Sequence, residues 1–130
     1  MSQKTDIVLH LNSPTDSSAL EQFICLQERT KITGAVIIDA DGIAQHGTNY
    51  RTIMVQNGAG TSTYFEWNTK TGENGTLTAG TKATLVDGSA TDEPEFEAGT
   101  LFKVRSAASG AGKAQNSVVV LQCEQLRKYS

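Results

Sequence analysis

The chain has 130 residues, 38% hydrophobic and 19% charged, which suits one domain with a buried core and excludes a disordered polyelectrolyte. Its formal charge is −3 and its Lys and Arg are scattered, which argues against the clustered basic face of a nucleic-acid grip. No stretch is long enough for a membrane helix, and the opening "MSQKTDIVLHLNSPTD" lacks the basic start, apolar block and cleavage site of a signal peptide, so a soluble protein made in a cytoplasm is expected.

Aromatic residues are only 6% of the chain, while Gly, Ser and Thr are abundant. That composition favours a turn-rich all-β protein. Asp6 to Leu11 alternates, with Ile7, Leu9 and Leu11 on one side. The turn-rich "NSPTDSS" follows, so residues 1–19 are expected to form an N-terminal arm or edge strand, and residues 20–130 a single sandwich domain. "ALEQFICLQE" fits either a short helix capped by Ser18 or a strand. The β-rich "KITGAVIIDADG" after it favours two strands, joined by a polar hairpin connection at Glu28 to Lys31.

In "NYRTIMVQNGAG", Tyr50, Thr52, Met54 and Gln56 face one way and Arg51, Ile53 and Val55 the other. The Tyr50 face is expected to turn inward. "TSTYFEWN" sets Phe65 and Trp67 against Tyr64 and Glu66. "KATLVDG" is expected to be a strand and "SATDEPEFEAG" an acidic loop. "TLFKVRSA" puts Leu101, Lys103 and Arg105 opposite Phe102 and Val104, and "SVVVLQCEQL" is the last strand. The pattern predicts an antiparallel jelly-roll-like β-sandwich or barrel of about seven to nine strands, with no repeat period.

Little of this carries catalytic chemistry. The two histidines, His10 and His46, come with no G-x-S-x-G elbow and no Ser or Cys placed beside them, so no catalytic residue is assigned and the protein is not expected to be an enzyme. Cys25 and Cys123 lack zinc-site spacing, which leaves two buried free thiols as the expectation. In a jelly roll whose first strand pairs with its last, they would lie on neighbouring strands. "DADG" (Asp39 to Gly42) holds only the first half of a calcium loop. "SAASGAGK" lacks the Gly spacing and the Ser/Thr of a phosphate loop. No metal and no cofactor are expected. Tyr64, Glu66 and Trp67 could form a sugar platform, with core packing as the plainer reading. "QHGTNYR" gathers His46, Asn49, Tyr50 and Arg51, but strand alternation sends Tyr50 and Arg51 to opposite faces.

The segment order "FICLQERTKITGAVIIDADGIAQHGTNYRTIMVQNGAG", "LTAGTKATL" and "FEAGTLFKVRSAASGAGKAQNSVVVLQCE" resembles small β-sandwich decoration (cement) proteins of tailed-bacteriophage capsids. The resemblance spans residues 22–125 and rests on turn and strand signatures. It implies a structural virion protein, located on the capsid exterior, that binds the major capsid protein and bridges its subunits. It also implies self-association as a dimer or trimer, with the homotrimer favoured over the homodimer, and no nucleic-acid or membrane partner. His10, His46, Asp92, Glu93, Arg127 and Lys128 are the candidate partner contacts, and the N-terminal arm and loops the candidate capsid-facing parts. The alternative is a glycan- or receptor-binding sandwich module.

Overall fold

The computed structural model describes residues 2–13, 18–90 and 93–126. Among them lie ten strands and no helix. One antiparallel sheet runs β1 (Ser2–Ser13), β10 (Gln115–Leu126), β3 (Thr30–Asp39). The far side of β3 is shared by two short strands, β6 (Ala83–Thr84) and β8 (Glu95–Phe96). The second sheet runs β2 (Leu20–Cys25), β9 (Leu101–Ser109), β4 (Tyr50–Asn57), β5 (Thr63–Asn68), β7 (Val86–Asp87). Each connection from β1 to β2, β2 to β3, β3 to β4 and β9 to β10 changes sheet. This is the double-sheet jelly roll, in which the chain passes repeatedly from one sheet to the other.

Period-2 alternation places the core. Leu11 from β1, Ala35 and Ile37 from β3, and Val119 and Leu121 from β10 meet Ile53 and Val55 from β4 and Phe102 and Val104 from β9. All are buried. Phe96 stacks on Phe102 at 4.6 Å between centroids and takes Tyr64 edge-on at 5.9 Å. The aromatic trio therefore spans both sheets, beyond what area burial alone would contribute.

Several expectations are corrected here. Residues 2–13 pair with β10 along their whole length and form the edge of the first sheet. β1, not β2, is thus the first strand of the roll. Cys25 then falls on β2 opposite Leu101, whereas Cys123 on β10 sits between Thr5 and Ile32 in the other sheet. They are not neighbours. Both are free, and Cys25 is exposed rather than buried. The turn at Glu28 to Lys31 is no hairpin, because β2 and β3 belong to different sheets. "KATLVDG" is two strands: β6 pairs with β3, β7 pairs with β5, and buried Leu85 marks the crossing. The acidic loop contains β8. Alternation could not foresee these pieces, since a two-residue strand has no period to display.

The outer face of the first sheet carries an apolar patch. Val8, Val120 and Val36 lie in one cross-strand row, and Val118 and Ile38 lie in the next, beside His10. "IVL", "VVVL" and "AVII" are the three runs that break alternation there. Val8 is 66% exposed.

Candidate functional site

The stretch from His46 to Arg51 is where polar groups converge, and the fold divides it. His46 is exposed, and its Nδ1 accepts the backbone N–H groups of Thr48 (3.0 Å) and Asn49 (2.8 Å). The ring holds its own loop shut. Asn49 Oδ1 accepts the N–H of Ala111 at 2.8 Å, which ties this turn to the loop between β9 and β10. Gly110 makes that approach possible: its φ is +60°, and a Cβ there would fall 2.4 Å from Asn49 Oδ1. The small-residue loop is thus a docking partner for the turn, with its N–H of Ala111 already engaged.

Tyr50 is half-buried, with Lys70 Nζ 5.6 Å from its ring centroid. The side chain that turns inward is Arg51, fully buried. The predicted alternation holds, but its two faces were assigned the wrong way round. Arg51 Nε donates to the Lys113 carbonyl at 2.6 Å and Nη1 to Ser106 Oγ at 3.4 Å. From there a relay crosses between the sheets. Ser106 Oγ donates to Gln115 Oε1 (2.5 Å), Gln115 Nε2 to Ser117 Oγ (3.0 Å), and Ser117 Oγ to Asp39 Oδ2 (2.6 Å). Asp39 also accepts the N–H of Asn116 at 3.0 Å and that of Asp41 at 3.1 Å. A guanidinium and a carboxylate thus sit at the two ends of a buried chain of hydroxyl and amide groups. Three protein donors engage the Asp39 carboxylate, so it acts in the "DADG" segment as a buried latch beneath an exposed tip.

Sequence reasoning missed this relay, although its signal was present. Arg51 is in phase with Ile53 and Val55, Ser106 with Phe102 and Val104, and Gln115 and Ser117 with Val119 and Leu121. Polar residues at core phase on adjoining strands require partners inside the sandwich.

The other candidates are scattered. His10 is exposed on β1, and its Nε2 lies 2.9 Å from Asn116 Oδ1. Glu93 pairs with Lys31 at 3.3 Å, and Arg29 pairs with Glu95 at 2.5 Å and Glu97 at 3.3 Å. The described part of the acidic run is therefore clipped to β3 and the turn before it, by exposed pairs that each stabilise little. Asp92, Arg127 and Lys128 lie outside the described residues. Phe65 is buried, and the Trp67 indole N–H donates to the Gly75 carbonyl at 3.0 Å while its ring packs on the core. A bulge between Val55 and Gln56 turns Tyr64 inward as well, onto Phe96. Of the three platform residues, Tyr64 and Trp67 are partly buried against the core, and Glu66 is half-buried outside it.

Among the described residues, no group of three or more His, Cys, Asp or Glu side chains is placed to hold a metal. An open depression of about 540 Å³ lies over the first sheet, lined by Lys4, Asp6, Thr33, Gln122, Cys123 and Glu124. It forms where β10 bulges at Gln122 and Cys123 against β3. Burial, with a smaller contribution from Asp6, pushes the Cys123 thiol up to about 11, so it is protonated and unreactive at neutral pH.

No family model matches the chain, and no curated protein matches it in sequence. Among solved structures, the chain is similar to one titled Desmodium yellow mottle tymovirus, at 9% identity and a TM-score of 0.40, over 100% of this chain and 93% of that one. It is also similar to chains from structures of infectious bursal disease virus. For the Gx strain the identity is 15% and the TM-score 0.29, covering 95% of this chain and 31% of that one. For the Gt strain the values are 14% and 0.30, with 95% and 32% covered.

Proposed function

We propose that the protein is a structural component of a virion, a decoration protein that binds the outer surface of a bacteriophage capsid and bridges its major capsid protein subunits. The observation that carries this is the connectivity. The segment that resembles phage decoration proteins, residues 22–125, lies within a jelly-roll sandwich, an architecture much used in capsids and lectins. The motifs that carry the resemblance serve as joints of that sandwich. The "GTNY" turn locks to the small-residue loop through Asn49, and the strand ending in "QN" is β4. A clamp needs complementary surfaces repeated across a lattice rather than a reactive cleft, because multivalency strengthens individually weak contacts. The protein acts without catalysis in this role.

Co-sedimentation with expanded phage capsids tests it. Binding should saturate at a fixed ratio to capsid subunits and raise the temperature at which the shells rupture. Failure to bind any capsid lattice, together with sugar binding that disappears in Trp67→Ala, would replace this role with the glycan-binding one. The anchoring of Trp67 to Gly75 and the core speaks against that outcome.

A further inference from the structure

β1 is a twelve-residue strand with β10 on one side and, among the described residues, no strand on the other. Long edges of this kind are templates for pairing unless something covers or interrupts them. The His10 carbonyl accepts Gln22 Nε2 at 2.7 Å. In an antiparallel ladder the backbone groups of successive residues point to alternate sides. The even-numbered residues of β1 therefore present their N–H and C=O groups at the free edge. Gln22 occupies that edge at His10, which leaves Lys4, Asp6 and Val8 as the accessible stretch.

We propose that this edge pairs with the same edge of a second copy, antiparallel about a two-fold axis at Thr5. Lys4 of each copy then stands opposite Asp6 of the other. Three features select this register. Pairing symmetric about Asp6 would set two aspartates face to face, and pairing symmetric about Lys4 would oppose two lysines. Moving the axis to Ile7 would bring Lys4 opposite His10, where the edge is already taken. Only the axis at Thr5 makes both charged pairs opposite in sign while staying clear of His10. Asp6 is exposed and, among the described residues, has no ion-pair partner in its own chain; its neighbour on β10 is the uncharged Gln122. The second copy brings the missing cation, twice over by symmetry. The product is one continuous sheet across two sandwiches. This interface goes beyond the capsid role and does not depend on it, and its two-fold symmetry differs from the trimer implied by the phage resemblance.

Sedimentation equilibrium of the full chain is the test. The expected result is a monomer–dimer equilibrium, weaker at high salt because exposed pairs contribute. Asp6→Lys places lysines opposite lysines and should weaken the dimer by about tenfold or more. The exchange Lys4→Asp with Asp6→Lys recreates both pairs and should restore association to within about threefold. Asp6→Pro removes an edge N–H without touching the ladder to β10, so it should abolish the dimer and leave the thermal unfolding profile close to wild type. A chain that stays monomeric at all concentrations overturns the proposal. So does a dimer that the charge exchange fails to restore, or an oligomer indifferent to Asp6→Pro. None of these results bears on capsid co-sedimentation, so the two ideas fail separately.

Discussion

The interior of the sandwich has two unlike ends. Its middle is built from Ile37, Ile53, Phe102, Val104, Val119 and Leu121, held by contact alone. Toward the β9–β10 loop the same strands switch to Arg51, Ser106, Gln115, Ser117 and Asp39, held by a directed chain of hydrogen bonds. Apolar packing is non-directional and tolerates volume-conserving exchange. A buried polar chain is satisfied in one arrangement only, and each broken link leaves a group without its partner. The middle therefore supplies bulk stability, while the polar end fixes how the sheets are set against each other.

The sharpest way to break the comparison is Asp39→Ala. It strips acceptors from Ser117 Oγ, the Asn116 N–H and the Asp41 N–H, and ends the relay at Ser117. A loss of about 4 kcal/mol in urea unfolding is expected, as three donors lose a charged acceptor. The apolar counterpart Leu121→Ala should lose about 3 kcal/mol, as a transfer and cavity effect. An Asp39→Ala loss under about 1 kcal/mol would mean that water replaces the relay at little cost.

Coupling separates the two ends more cleanly than single losses do. Ser106→Ala and Asp39→Asn, three hydrogen bonds apart, should be non-additive by about 1 kcal/mol if the chain acts as a unit. Additive losses in this cycle would reduce the relay to independent bonds. Smaller again is His46→Ala, which removes the acceptor of two loop N–H groups near the relay's outer end. We expect a loss of about 1 kcal/mol and faster amide exchange at Thr48 and Asn49.

The smallest effect concerns the thiols. At pH 8 a maleimide should label Cys25 and leave Cys123 untouched until the protein unfolds. Because the folded Cys123 thiol holds its proton up to about 11, against 9.0 for the ordinary thiol, folding binds that proton more tightly. The associated stability is complete below pH 9 and is lost as pH rises through about 11. Alkaline unfolding of Cys123→Ala should lack this component, and identical pH profiles for the two proteins would contradict the assignment.

The long strands were legible because burial on one face writes a period of two into the chain. β4, β5, β9 and β10 come from alternation alone. What was not legible was pairing. β2 and β3 look like a hairpin in sequence because a short polar turn joins them, yet the same turn serves a sheet crossing. Strand order depends on contacts far apart in the chain, and those leave no local trace. The inward face of β4 was misassigned for a related reason. A tyrosine is ordinarily the better core residue and an arginine the worse; here the companions of Arg51 on β9 and β10 reverse that preference. At the candidate contacts, residue type pointed to chemistry that the fold uses for its own joints, as with His46, Asn49 and Trp67.

Leu85 gives the crossing between β6 and β7 a mechanical meaning. Its N–H bonds to the Ala35 carbonyl of the first sheet at 2.9 Å, and the next residue, Val86, pairs with Glu66 of the second. The chain is thus stitched to both sheets within two residues, on the flank away from β1. A force that slides one sheet across the other must load this stitch and the Arg51–Asp39 chain together, at separate points of the sandwich. Relative movement of the sheets is therefore resisted by two directed fastenings in parallel, in addition to the packing of the apolar middle.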